Sequence, residues 1–346
     1  MTESDVDPSL LLFRRQYLQL FEPDFLAWPA QKLIRSADAQ TWLYKRLFDE
    51  SRNPRLPPSG YQIRVLEALL SRIQRAISNG EGDGVSERLM SRLVSLRDSW
   101  LEATQEKSDS YVTFTCIPEN GRLDQDASSE PTVTLLERRY LISGSRVTGF
   151  RTWEGSLHLA SYLLTETGKK LVKGKGILEL GAGTGLLSIL CAKHLEARHV
   201  TATDGDKGVV EALKKNIVLN GLGSNQHVVA RTLNWGDDLE ATWVEQDCKA
   251  RPYDVVIGAD ITYDKVAIKA LVMTIHQLFE LRPGLRVLIG GVVRNVNTFE
   301  SFRSECLSRR FSVEELGFQA KPMRQQNALF YAAAVPIKIL SVSGPG

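Results

Sequence analysis

The stretch ILELGAGTGLLSIL, residues 177–190, packs three glycines into five positions between two apolar runs. The run before the glycines suits a buried strand and the run after them a helix, and the glycines let the backbone turn tightly and approach a ligand. Its surroundings repeat the pattern. From about residue 133, TVTLLERRYLISG suggests a hairpin and SLHLASYLLTETG a helix, with HVTATDGD as the next strand and KGVVEALKKNIVLNG as the next helix. Strands follow at HVVARTLNW and YDVVIGADITY, then a helix near 265–280 and a strand at RVLIGGVV. Such alternation predicts a mostly parallel, doubly wound sheet with helices on both faces. The tail departs from it, because after a helix at TFESFRSECLSRR two strands come in succession, FSVEELGF and NALFYAAAVPIKI. That implies an antiparallel pair at the end of the sheet.

Upstream the rhythm is helical. Leu10, Phe13, Tyr17, Leu20 and Phe21 share a helical face, as do Ile63, Leu66, Leu70, Ile73 and Ile77, and then Leu89, Leu93, Leu96 and Trp100. RNPRLPPSG and SNGEGDG break the pattern with turn residues. YVTFTC at 111–116 is a short strand, and the polar, acidic 117–132 is the flexible part of a boundary. The organisation expected is therefore a helical N-terminal domain over 1–105, a strand and acidic linker over 106–132, and an α/β domain over 133–346.

Lys and Arg number 43 against 41 Asp and Glu, a net charge of +2, so no global field draws the chain to nucleic acid or an anionic membrane. The start is acidic where a signal peptide would be basic, and no apolar run approaches the ~18 residues of a membrane span. A soluble, cytoplasmic protein without membrane attachment is expected, acting as a monomer. Cys116, Cys191, Cys248 and Cys306 lack metal-ligand or redox spacing, so free thiols and no metal site are expected.

Doubly wound sheets bind ligands beyond the carboxyl ends of their strands, with the first strand-to-helix turn as anchor. Leu186 stands where a nicotinamide fingerprint needs a small residue, and no phosphate-loop lysine is present. Glu179 before the glycines and Asp204 at the end of the next strand remain, the latter placed to accept ribose hydroxyls. Two carboxylates without phosphate-binding charge suit a nucleoside carrying a cation, such as S-adenosylmethionine.

ELGAGTG, followed by TD, NW and ADITY, resembles the seven-strand S-adenosylmethionine-dependent protein-lysine methyltransferases. VTGFRTWEGSLHLASYLL, ADITYDKVAI and VVRNVNTFESF are most similar to the branch that methylates a lysine of translation elongation factor 2, which also carries a helical N-terminal domain. The resemblance implies a Rossmann-like seven-stranded methyltransferase sheet with a terminal antiparallel hairpin, binding S-adenosylmethionine and releasing S-adenosylhomocysteine. It implies Trp153 at the methionine end, Gly181, Ala182 and Gly183 around the cofactor, Asp204 on the ribose, Trp235 beside the adenine and Ala259 close to the ring or methionine. The helical domain would serve substrate recognition, with some shielding of an otherwise exposed face of the sheet domain as the other reading.

Methyl transfer from a sulfonium is an in-line displacement, so the acceptor amine must be uncharged and aligned. Free lysine, with a pKa of ~10.4, is almost wholly ammonium at neutral pH. Asp260 can orient the amine, but a nearby carboxylate also stabilises the ammonium form. Apolar desolvation and proton escape to water would supply the neutral amine, and Tyr263 would offer its ring to the cationic nitrogen. Base-methylating enzymes carry D/N-P-P-Y at this strand end, whereas Ile261 and Thr262 stand here, which argues against direct nucleic-acid binding. The alternatives are a methyltransferase for RNA or a small amine, or a non-catalytic S-adenosylmethionine-binding adaptor.

Overall fold

The computed structural model of the chain describes residues 6–78, 84–102, 109–119, 121, 130–139, 148–224 and 227–345. Two compact units emerge: Met1–Ile117 with Gly121–Thr134 and Arg138–Tyr140, and Pro118–Asn120 with Leu135–Glu137 and Leu141–Gly346. The first unit thus extends beyond residue 105 and takes in the strand expected at 111–116.

The first unit holds helices α1 (Pro8–Leu18), α2 (Gln31–Ile34), α3 (Ala37–Leu43), α4 (Ser59–Ser78) and α5 (Glu87–Glu102), and strand β1 (Ser110–Thr115). α1 starts where Asp7 accepts the Ser9 N–H at 2.8 Å and Pro8 supplies a first-turn residue with no N–H to satisfy. Leu10, Phe13, Tyr17, Leu66, Ile73, Leu89 and Leu96 form one buried core. Trp100 is 48% exposed and instead covers Gly60, where a Cβ would come within 2.9 Å of the indole. Glu130, in the stretch read as flexible linker, is buried and accepts hydrogen bonds from Arg14 Nη1 (3.0 Å) and Arg15 Nε (2.7 Å). Pairing of this quality offsets the desolvation of the three charges. Residues 122–129 of that linker lie outside the described residues.

β2 (Thr132–Glu137) pairs with β1 in a two-stranded sheet. The second arm of the hairpin expected near 132–144 falls on 140–147, outside the described residues.

The second unit continues with α6 (Glu154–Leu163), α7 (Glu166–Val172), β3 (Gly176–Leu180), α8 (Leu186–His194), β4 (His199–Asp204), α9 (Lys207–Leu219) and β5 (Val228–Thr232). Then come α10 (Trp243–Ala250), β6 (Val255–Ala259), α11 (Lys265–Leu281), β7 (Arg286–Val292), α12 (Val296–Ser308), β8 (Ser312–Leu316) and β9 (Ile337–Ser343). The sheet order is β5-β4-β3-β6-β7-β9-β8. β3 pairs in parallel with β4 on one side and β6 on the other, so the chain reverses its direction of travel across the sheet beside β3. β9 runs antiparallel to both β7 and β8, closing the sheet with the expected pair. Leu178, Leu180, Val256, Leu271, Ile275, Ile289 and Phe302 pack one face of this sheet.

Two local expectations change, and one helix is added. The helix expected over 156–168 breaks at Thr165, whose hydroxyl caps α7 by accepting the Gly168 N–H at 3.0 Å. α10, eight residues long and capped by Thr242, is too short and polar to register as periodicity. The last strand lies at 337–343, because Gln326 takes the Tyr331 N–H (2.8 Å), donates to the Tyr331 carbonyl (3.0 Å) and so loops the preceding apolar run. Leu329, Phe330 and Tyr331 are buried in that loop.

Candidate active site

A cavity of about 640 Å³ opens at the carboxyl ends of the central strands, beside the point where strand order reverses. Its walls come from the turn after β3, the ends of β4, β5, β6 and β7, and the segment leading into α6.

The glycine turn forms one wall. Gly181 sits at φ +66°, and a Cβ there would come within 2.6 Å of Ile261 and 3.3 Å of Trp235, so only glycine keeps this wall open. Asp204 braces the turn: its Oδ2 accepts the Gly183 N–H and its Oδ1 the Asp206 N–H, both at 3.1 Å. Burial, the largest effect, raises its carboxyl above the usual range despite those bonds. A carboxylate offers about four lone-pair positions, so capacity remains for two hydroxyls.

Of the residues expected around a cofactor, Trp153, Gly181, Ala182, Gly183, Asp204, Trp235 and Ala259 all line this cavity. Glu179 does not. It is 2% exposed within β3, and its carboxyl accepts the Ser188 N–H at 3.0 Å and a hydrogen bond from the Ser188 hydroxyl, tying α8 to the strand. Burial pushes its pKa up to about 8. The sequence showed the carboxylate but not that the strand's alternation turns it away from the cavity.

Asp260 and Tyr263 also line the cavity, in very different settings. Asp260 follows β6 in the left-handed region at φ +53°. Its Oδ2 accepts the Gly155 N–H at 2.7 Å and its Oδ1 the Val292 N–H at 3.0 Å. Trp153 stands at the cap position of α6 without a capping side chain, so Asp260 satisfies that helix end from across the sheet. Burial is the largest influence on Asp260 and raises its pKa. Tyr263 is 66% exposed at the rim, while Ile261 and Thr262 between them are buried. Asp264 ends the segment by capping α11 through the Val266 and Ala267 N–H groups.

Further lining comes from residues to which the sequence assigned no chemistry, notably Arg151, Thr152, Arg294, Asn295 and Phe299. Thr152 shares a 2.7 Å hydrogen bond with the Thr184 hydroxyl of the glycine turn, and its N–H donates to Glu137 Oε1 at 3.1 Å. Arg151 and Arg294 both lie over the Trp153 ring, each 5.3 Å from its centroid. Their motifs, FRTW and VVRN, were visible, but nothing in the sequence places 151 beside 294. Among the described residues no cluster of His, Cys, Asp and Glu is arranged to hold a metal, and no helix is long and apolar enough to cross a membrane. All four cysteines are buried and free of disulfides.

Residues 142–303 match a family model described as lysine methyltransferase. Protein-lysine N-methyltransferase EEF2KMT of Homo sapiens is 27% identical over 350 residues, covering 94% of this chain and 96% of that one. Protein-lysine N-methyltransferase EFM3 of Saccharomyces cerevisiae is 31% identical over 199 residues, 54% of this chain and 55% of its own. The EFM3 of Chaetomium thermophilum is 41% identical over 337 residues, 96% of this chain and 97% of that one. Identity of that extent, joined to the seven-stranded sheet and its glycine-walled cavity, makes this chain an enzyme of the protein-lysine N-methyltransferase family.

Proposed function

We propose that the protein transfers methyl groups from S-adenosylmethionine to a lysine of translation elongation factor 2 in the cytoplasm. The observation that carries this reading is one cavity lined at once by the Asp204-braced glycine turn and by the segment 260–263. The wall at Gly181 fits a nucleoside, since any Cβ would fill the space, and the acidic Asp204 suits ribose hydroxyls better than phosphates. Trp153, Ala182, Gly183, Trp235 and Ala259 would complete the cofactor's surroundings. When bound, S-adenosylmethionine supplies an electrophilic methyl group on a sulfonium sulfur.

The acceptor lysine would enter past Tyr263, whose exposed ring can hold the cationic nitrogen by its face. Asp260 already serves two backbone amides, so it acts as the joint that fixes this wall and orients the amine with its remaining lone pairs. Apolar neighbours such as Ile261 and Phe299 favour the neutral amine, and its proton leaves to water through the open rim. The helical unit would grip the protein substrate, because a lone lysine side chain gives few contacts and specific interfaces need ~1,200–2,000 Å².

The full-length similarity to EEF2KMT and the family-like motifs support the choice of substrate. The test is incubation with radiolabelled S-adenosylmethionine and a methylation-deficient extract, alone and with purified elongation factor 2. Label is expected in a lysine of elongation factor 2; label in RNA or small amines would overturn the reading. Hydrogen exchange on adding the factor checks the grip, with slowed exchange in α4 and α5 expected.

A further inference from the structure

Two guanidinium groups at the rim of a cavity meant for a cationic lysine call for a physical reason. Arg151 is exposed and Arg294 has a 60% exposed side chain, so both are within reach of a protein docked at the rim. Glu154 Oε2 stands 3.3 Å from Arg294 and balances one of the two cations. Asp260 lies on the same wall, where its carboxyl feels the Arg294 charge and accepts two backbone N–H groups, while Asp204 and Asp206 lie at the end of β4, three strand spacings or ~14 Å across the sheet from the end of β7. Among the described residues Arg151 has no ion-pair partner, so its cation opposes an incoming ammonium unless an anion arrives with it.

We propose that Arg151 and Arg294, held over Trp153, bind the carboxylate of an Asp or Glu beside the target lysine, so that the enzyme selects lysines in acidic surroundings. This rests on the reading of the cavity as the lysine-methylating site. Both guanidinium groups lie over the indole, Arg294 Nη2 also donating to Glu154 Oε2 at 3.3 Å, and the planar fork of a guanidinium matches a carboxylate in a way that a lysine ammonium does not. The carboxylate of the cofactor's methionine moiety is the competing source of the same chemistry, but groups this exposed face the solvent side from which a substrate comes.

The experiment first maps the labelled lysine by mass spectrometry, using elongation factor 2 and, in parallel, the methylation-deficient extract. An Asp or Glu within about four residues of it, or touching it in the folded substrate, is expected. Reversing that charge in the substrate should raise KM for the wild-type enzyme roughly fivefold to tenfold, and R151Q/R294Q should do the same to the unaltered substrate. The two changes combined should cost little more than either alone, with kcat and S-adenosylhomocysteine affinity within twofold. R151K/R294K should be intermediate, since charge returns without the fork. The substrate-side reversal uses wild-type enzyme and so decides the matter even if an arginine variant folds poorly. An unchanged KM, a mapped lysine without acidic neighbours, or a tenfold loss of S-adenosylhomocysteine affinity at constant KM would each overturn the proposal, the last by giving the arginines to the cofactor. Label in a protein other than elongation factor 2 would overturn the substrate assignment while leaving this inference to be judged on that protein's lysine; label in no protein would overturn both.

Discussion

Asp204 and Asp260 look alike on paper: each stands at the end of a parallel strand, is largely buried, accepts two backbone N–H groups and has its pKa raised by burial. Their partners separate them. Asp204 binds Gly183 and Asp206, 21 and 2 residues away, within one strand-turn-helix neighbourhood and its successor. Asp260 binds Gly155 and Val292, 105 and 32 residues away, joining the start of α6 to the end of β7. The wall at the glycine turn is thus a local motif that a short sequence can specify, while the wall at Asp260 is a tertiary joint that exists only once three segments have met.

Replacing Asp260 should expose this difference most strongly. Asp260→Ala removes the acceptor of two part-buried N–H groups, each charge-assisted bond contributing ~1.5–3 kcal/mol, at a φ of +53° that Asp tolerates better than Ala. A loss of unfolding free energy of roughly 3–6 kcal/mol is expected, together with activity, by chemical denaturation and label transfer. Asp260→Asn tolerates the backbone but has one acceptor oxygen, so its amide must face one of the two N–H groups, and about half that loss is expected. Wild-type stability in either variant would reduce Asp260 to a substrate contact and erase the contrast with Asp204.

Glu179 sharpens the comparison as a carboxyl that lies off the cavity and binds Ser188. Its pKa rises from 4.5 to about 8, so the folded state favours the protonated form. Stability from this source is therefore full below pH 4.5 and is lost as pH rises towards 8. Relative to Glu179→Gln, which cannot ionise, the wild-type unfolding free energy should fall by on the order of 3–4 kcal/mol across that window. S-adenosylhomocysteine affinity of the variant should stay within a few-fold, measured by calorimetry. A large loss of affinity in a folded variant would return Glu179 to the cofactor.

Asp204→Ala should act on the ligand more than on the fold. Its backbone bonds brace a turn that glycine backbone and the parallel register already hold, whereas two charged bonds to ribose would vanish, weakening S-adenosylhomocysteine binding by roughly 2–4 kcal/mol. An unchanged affinity would move the ribose to another wall of the cavity.

What was legible in the sequence follows the same division. GAGTG, Asp204 and the strand-helix alternation are short-range signals, and the sheet and most of the cavity follow from them. The partners of Asp260 were not legible, since Gly155 and Val292 reach it through backbone N–H groups that carry no residue signature. Glu179 misled because a carboxylate beside the glycines reads as ligand-binding until strand direction shows it bonded to Ser188. The last strand was placed ten residues early because Leu329, Phe330 and Tyr331 are apolar for burial in a Gln326-bound loop, and apolar runs do not distinguish loop from strand.

The smallest effect on the fold, and the most telling for chemistry, belongs to Tyr263. Its ring is 66% exposed and among the described residues no hydrogen bond ties its hydroxyl to the second unit's core, so Tyr263→Phe should change stability by no more than about 0.5 kcal/mol. It follows β6 by a few residues on the acceptor wall, away from the Asp204 brace, so S-adenosylhomocysteine affinity should remain within twofold. If the ring face holds the lysine nitrogen, Tyr263→Phe keeps most of the turnover and Tyr263→Ala loses it by roughly twofold to thirtyfold, because a cation over an aromatic face is worth ~0.5–2 kcal/mol. If the hydroxyl does the positioning, the phenylalanine variant falls as far as the alanine variant. Single-turnover rates at saturating cofactor separate the two, and equal, wild-type rates in both variants would remove Tyr263 from the acceptor site and leave Asp260 as that wall's sole polar contact with the amine.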